Sequence, residues 1–314
     1  MPLSARSARS AVLPALVALA VGVVFVACGS STEPAPFDIT VVALSPTASA
    51  SPGASERPAS ATPAGAPVTT PFDLPILMYH HVSSVPPLDQ LGFNLTVTTG
   101  DFTRQLDYLK CAGYSTVTLA QLFDYLRGGA PLPPKPIILT FDDGYADGFT
   151  DAFPLLSDGG FKGSFAIVTG FVGGGDLYMS WDQIEAMAAA GMEIVSHTVS
   201  HIDLNTSDDA TDRQQIADSK RALEEHLRPP VDFFVYPSGE PFRSGTAERQ
   251  QSVVAMLREA GYEGALLAGP SSTTQDPGRP YELNRVRVSG GNDLYTFAGS
   301  IGGPSPDAVA APCP

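Results

Sequence analysis

Leu139-Thr140-Phe141-Asp142-Asp143-Gly144-Tyr145 closes an apolar run with two adjacent carboxylates and a glycine. Pro136 to Phe141 is short, continuous and apolar, the pattern of a strand buried on both faces of a parallel sheet, and Gly144 then supplies the turn. Ligands of such sheets gather at strand C-termini. Neighbouring strand residues point to opposite faces, so Asp142 and Asp143 can act together only where the strand ends and the backbone turns. A second apolar run, Met192 to Val195, leads into Ser196-His197-Thr198-Val199-Ser200-His201. On a helical turn the imidazoles at i and i+4 would share one face and hold one ion, with Asp143 as third ligand. Two histidines and a carboxylate leave positions open for water and substrate, which marks a catalytic metal site more than a structural one. Taken singly, Asp-Asp-Gly is an ordinary turn and His-x3-His an ordinary pair of surface histidines. The conjunction is stronger: the chain has five histidines, and two stand at ligand spacing behind one strand while a doubled aspartate stands behind another.

Outward from this pair, apolar runs alternate with helix-period segments from Phe72 to about Phe297, a length that fits one large α/β domain. Candidate strands are Ile76 to His81, Ser115 to Leu119, Pro136 to Phe141, Ser164 to Thr169, Glu193 to His197, Asp232 to Tyr236, Ala265 to Ala268 and Glu282 to Val288. Phe102, Leu106 and Leu109 show the three-and-four spacing of a buried helix face, as do Ile216, Leu223, Leu227 and, later, Val253, Met256, Leu257. The expected fold is α/β, an irregular (β/α) barrel with about seven strands.

These motifs resemble the polysaccharide deacetylases of carbohydrate esterase family 4, over most of the chain from about Pro75 to about Val288. The most specific pieces are Thr-Phe-Asp-Asp-Gly at 140 to 144 and Ser-His-Thr-x-x-His at 196 to 201; Phe234-Val235-Tyr236-Pro237-Ser238-Gly239 is similar to the third motif. The resemblance implies Asp142 as general base, Asp143, His197 and His201 as ligands of a divalent metal ion, and an acetylated glycan as substrate. The incomplete donor set of two histidines and a carboxylate points to zinc first, with cobalt or nickel able to replace it. Two family features are absent from their usual places. The third motif normally carries an arginine that pairs with the base and an aromatic whose backbone N–H helps bind the oxyanion; Val235 and Ser238 stand there, and Ser238 keeps the N–H. The usual late histidine acid is also missing, since no histidine follows His226. A branch resembling the biofilm poly-N-acetylglucosamine deacetylases supplies the acid from an N-terminal Met-Tyr-His. Leu77-Met78-Tyr79-His80-His81 fits that arrangement, with His80 as candidate acid and His81 as the substitute. In the same branch a segment like Leu283-Asn284-Arg285-Val286-Arg287 ends a strand with arginine; Arg285 either replaces the missing arginine or is a plain surface residue. The implied activity is removal of N-acetyl groups from an extracellular or cell-wall amino-sugar polysaccharide. The alternatives are an O-acetyl esterase of the xylan type and an inactive glycan-binding module.

The N-terminus adds a targeting signal. Arg6 and Arg9 precede an apolar stretch from Ala11 to Ala27 that ends in Val26-Ala27-Cys28-Gly29, which reads as a lipoprotein-type signal peptide over 1–28 with lipid on Cys28. Phe25 departs from the usual leucine, so an uncleaved membrane anchor stays open. Residues 29–72, rich in Pro, Ala, Ser and Thr, cannot bury enough apolar area to fold alone and form a linker. As a flexible coil they would span roughly 35 Å. The catalytic domain is expected over 73–299 and a flexible tail over 300–314. The whole places a monomer outside the cytoplasm, lipid-anchored to a bacterial envelope membrane.

Charge narrows the partners. The first 72 residues hold three Arg and three acidic residues, so the formal charge of −15 belongs to the remainder. That excludes nucleic acid as a natural partner and disfavours a polyanionic substrate. Three cysteines make no disulfide framework. With Cys28 lipidated, a buried free thiol is expected at Cys111, and pairing with Cys313 is the alternative.

Overall fold

The computed structural model describes residues 65–85, 87 and 89–309. Eight parallel strands build the main sheet: β1 (Ile76–Tyr79), β2 (Ser115–Thr116), β3 (Pro136–Phe141), β4 (Ser164–Ile167), β5 (Glu193–Ser196), β6 (Phe233–Val235), β7 (Gly264–Leu266) and β8 (Val286–Arg287). Seven run in the order β7-β6-β5-β4-β3-β1-β8, and β2 pairs with the start of β3. Residues 280–288 join the two ends. Ala265 donates to the Pro280 carbonyl and Leu267 to that of Leu283, while Val288 donates to Met78. The curled sheet is therefore an irregular (β/α) barrel of seven strands, as the alternating pattern predicts. Each of the eight expected strands exists. Most are shorter than their apolar runs, because the C-terminal residues of those runs leave the ladder to form the site.

Strand alternation sorts the core into two layers. Ile76, Ile138, Ala166, Val195, Phe233, Val235, Leu266 and Leu283 pack together as the barrel interior, closed by Leu119, Leu122 and Phe123 of helix Leu119–Leu126. Their neighbours Leu77, Leu139, Phe141, Phe165, Ile194 and Phe234 belong to the other cluster, shared with the helices. That parity decides which residues reach the cleft. Residues 78 and 80, 140 and 142, 197, and 285 and 287 fall in step with the inward set, and they emerge where the strands end.

The helices follow their sequence signals. Phe102, Leu106 and Leu109 are buried on helix Thr99–Cys111, Ile216 and Leu223 on Asp209–His226, and Val253, Met256 and Leu257 on Ala247–Glu259. Thr98, Thr118, Ser180, Asp208 and Thr246 cap their helices through side-chain oxygens, and Gln121 and Gln183 complete capping boxes.

Two expectations need correction. Cys111 is half-buried and disulfide-bonded rather than a buried free thiol; Cys28 and Cys313 both lie outside the described residues. The tail is anchored as far as Val309, which packs on the core, with the Tyr108 hydroxyl donating to the Pro304 carbonyl at 2.7 Å and that of Tyr295 to Asp307 at 2.8 Å. The signal segment and most of the linker also fall outside the described residues. Among those that are described, no helix is long and apolar enough to cross a membrane.

Candidate active site

Asp142 and Asp143 sit at the bend after β3, where Asp143 (φ +76°) and Gly144 (φ +76°) both adopt the left-handed conformation. That bend breaks strand alternation and lets both carboxylates face the same cleft. The backbone N–H of Asp142 still bonds the Tyr79 carbonyl at 2.9 Å, fixing where the strand ends.

Arg285 is fully buried and grips Asp142 with two parallel hydrogen bonds, Nη1 to Oδ1 at 2.7 Å and Nη2 to Oδ2 at 2.9 Å. Its Nε donates to the Leu267 carbonyl at 2.6 Å, and Nη1 also reaches the Thr140 hydroxyl at 3.0 Å. Burial alone would raise the Asp142 pKa; the guanidinium outweighs it and holds the carboxylate below its ordinary value. Arg285 is thus the partner of Asp142, and the surface alternative is removed.

Three donor atoms converge beside this pair. Asp143 Oδ1 lies 3.3 Å from His197 Nε2 and 3.4 Å from His201 Nε2, with all three within 4.8 Å of one another. Ligands about 2.1 Å from a tetrahedral ion are about 3.4 Å apart, which matches the two measured separations. Asp143 Oδ1 is buried and has no hydrogen-bond donor among the described residues, an arrangement that is costly unless a cation neutralises it. His197 Nδ1 donates to the Val235 carbonyl at 2.8 Å, which leaves Nε2 with its lone pair toward Asp143. Val235, the residue at the expected arginine place, thus contributes its backbone. Burial raises the Asp143 pKa, yet the histidines beside it pull it far below the usual carboxylate range. Two imidazoles and a carboxylate fit a divalent transition metal ion such as zinc.

The histidines are not on a helical turn, contrary to expectation. Thr198 (φ +65°) and His201 (φ +54°) are left-handed, and a tight turn closed by His201 N–H to the Thr198 hydroxyl at 2.9 Å sets the rings 4.9 Å apart at 78°. A helix would have stacked them on one face; this turn swings both onto Asp143.

His80 and His81 part ways on the strand parity. His80 lines a cleft of about 710 Å³ together with Asp142, Asp143, His197 and His201. His81 turns outward, bonds Asp147 at 2.6 Å and stacks on Tyr145 at 3.7 Å. Burial pushes the His80 pKa down to about 4, against the opposing pull of the Asp142 and Asp143 charges. Ser238, exposed at the cleft wall, is left-handed (φ +54°) in the short turn Pro237–Gly239.

YxkH of Bacillus subtilis, itself described as a polysaccharide deacetylase, is 30% identical over 231 residues, covering 74% of this chain and 77% of that protein. The chain belongs to the polysaccharide deacetylase family. The family's own profile, described as polysaccharide deacetylase, matches residues 129–265. The poly-beta-1,6-N-acetyl-D-glucosamine N-deacetylase of Escherichia coli is 33% identical over 119 residues, 33% of this chain and only 18% of that longer protein. The solved structure of IcaB from Ammonifex degensii superposes with a TM-score of 0.61 at 27% identity, covering 76% of this chain and 99% of that one. As a family member the chain is a deacetylating hydrolase, and its Asp-Asp and His-x3-His motifs converge in one cleft. His80 and Arg285 fall outside the profile's 129–265 window, so their parts rest on the geometry given above.

Sequence reading missed Arg243 and Arg287, which line the same cleft with Tyr236 and Phe242. A signal for Arg287 existed: it stands two residues from Arg285, and strand period two carries both to the inward face.

Proposed function

We propose that this polysaccharide deacetylase removes N-acetyl groups from an extracytoplasmic amino-sugar polymer with the help of one divalent ion, zinc in the first place, at Asp143, His197 and His201. The observation that carries the reading is the unpartnered buried Oδ1 of Asp143 between two imidazoles, one residue from a carboxylate clamped by a buried arginine. A divalent ion bound there lowers the pKa of water to about 7 and polarises an acetyl carbonyl. The chain's own groups supply the remainder. Asp142, held ionised by Arg285, takes the proton from the attacking water as its oxygen bonds to the acetyl carbon. The backbone N–H of Ser238, a residue lining the cleft, is the proposed donor to the negative oxygen that develops, and one such donor is worth on the order of 3 kcal/mol. Breaking the carbon–nitrogen bond requires a proton on the departing amine, since an amine anion is too basic to leave. His80, which lines the cleft with Asp142, is the proposed relay that passes the proton collected by Asp142 to the amine. Acetate and a free amine result.

The similarity to an N-deacetylase of poly-β-1,6-N-acetylglucosamine supports an amide substrate over an ester. The setting outside the cytoplasm and a lipid on Cys28 belong to the same proposal, resting on the Arg6/Arg9 and Val26-Ala27-Cys28 pattern. The test is acetate release from N-acetylated glucosamine oligomers and from O-acetylated xylan under identical conditions. Preference for the amide supports the proposal; acetate from xylan alone overturns it in favour of an esterase, and none from either overturns it in favour of a binding module.

A further inference from the structure

Against an acid excess of −15, the catalytic cleft carries two cationic side chains without acidic partners. Arg243 and Arg287 are exposed, both line the cleft, and neither forms an ion pair with a carboxylate among the described residues. Guanidinium groups elsewhere are treated differently: Arg104, Arg127, Arg213 and Arg249 each meet an aspartate or glutamate. The nearby acids do not neutralise the pair. Asp142 is taken by Arg285, and Glu240, next to the Arg243 turn, is bound to the backbone N–H and hydroxyl of Ser244. Asp143 faces His197 and His201, and a divalent ion there would leave that cluster positive. Arg287 and Arg243 also feel each other. Partial burial first, and then the charges of Arg285 and Arg243, push the Arg287 pKa down despite the pull of Asp142. Like charges lining one cleft, in an acidic protein, are stabilised when an anion enters it.

Building on the deacetylase proposal, we infer that Arg243 and Arg287 form an anion subsite beside the reacting centre, taking a carboxylate or phosphate on, or adjoining, the acetylated sugar. A planar guanidinium offers paired N–H donors that fit both groups, and two of them lining one cleft give an entering anion two such sites. The placement also has a converse. A glucosamine unit already stripped of its acetyl group is a cation and is repelled from the same position. The acidity of the surface as a whole disfavours polyanions at long range; the subsite concerns one charge at the cleft, inside the roughly 10 Å over which salt screens the distant acids.

Binding is measured first, on the metal-loaded full chain carrying Asp142→Asn so that no turnover intervenes. Titration calorimetry compares a neutral N-acetylglucosamine oligomer with two matched oligomers, one alternating with glucuronate and one bearing a sugar phosphate. The inference predicts at least about tenfold tighter binding of one or both anionic oligomers, weakening with added salt, as expected for charge-assisted contacts. Which of the two binds tighter identifies the anion as carboxylate or phosphate. Adding Arg243→Gln and Arg287→Gln should erase the preference, and Arg287→Lys should restore part of it. Equal affinity for neutral and anionic oligomers, or a preference untouched by the glutamine variants, overturns the inference. Acetate release by the chain with Asp142 intact is then compared on the same three oligomers. Failure to release acetate from any of them would reject the deacetylase proposal, while the calorimetry still decides the subsite.

Discussion

Arg285→Met removes the buried partner of Asp142 while roughly keeping side-chain bulk. Asp142 is 4% exposed and Arg285 fully buried, with two hydrogen bonds between them, so the change strands an uncompensated carboxylate in the barrel. Breaking one side of a buried pair costs about 3–5 kcal/mol. For a domain of this size that is a fall of roughly 6–20 °C in melting temperature. The pH dependence has a definite sign. In the wild type the Asp142 pKa is held down by Arg285, so the pair's stabilisation is present above the ordinary carboxylate range near 4 and is lost as pH falls through the depressed value. Without Arg285, burial prevails and raises the Asp142 pKa, so the native state keeps a proton that the unfolded chain gives up. The stability gap between variant and wild type therefore widens as pH rises from about 4 toward 7. The acid limb of the pH–rate profile should move to higher pH, because the base stays protonated longer. Urea unfolding at pH 5 and pH 7, with acetate release across the same range, reads both effects. Adding Asp142→Asn to Arg285→Met should recover part of the lost stability. The reasoning is refuted if Arg285→Met costs no more than Arg104→Met at the surface, or if the double variant is no more stable than the single one while the acid limb stays in place.

Two further outcomes follow from the same geometry and a third from the N-terminal sequence pattern. His197→Ala should lower metal content measured by plasma mass spectrometry, whereas Asp142→Asn should keep the ion and abolish turnover; equal metal loss in both would mean that the two aspartates are misassigned. His80→Ala should retain metal and lower amide turnover by about 10²-fold, with the smallest loss on activated aryl acetates, whose leaving groups need no proton, and a uniform loss on all substrates would point to damaged folding instead. Cys28→Ser should release the protein from membranes or block processing, and an intact Met1 in the mature chain by mass spectrometry would reject the lipid anchor.

The barrel was legible because strands buried on both faces are apolar runs. Pro136–Phe141 appears with the bounds its sequence gives, and the doubled aspartate marks the strand end where a site belongs. Backbone detail was not. Nothing in Ser196-His197-Thr198 announces a left-handed Thr198, since that conformation is imposed by the turn back toward Gln215, which accepts from the Val199 and Ser200 N–H groups. Arg285 was undecidable from sequence for a related reason. An arginine becomes a buried partner only if remote groups meet it, and here they come from Leu267, Thr140 and Asp142 at the ends of other strands. His80 and His81 were separable in principle, because strand parity assigns one to the cleft and the other to Asp147. The partnership of Cys111 depends on where distant chain passes, which local helix spacing does not encode.

The most direct test of the metal-dependent mechanism is acetate release by protein stripped with a chelator, verified metal-free, and then reloaded. The geometry of Asp143, His197 and His201 predicts that hydrolysis of an N-acetylglucosamine polymer disappears with the ion and returns with zinc, cobalt or nickel. Undiminished acetate release from the verified metal-free protein would contradict it.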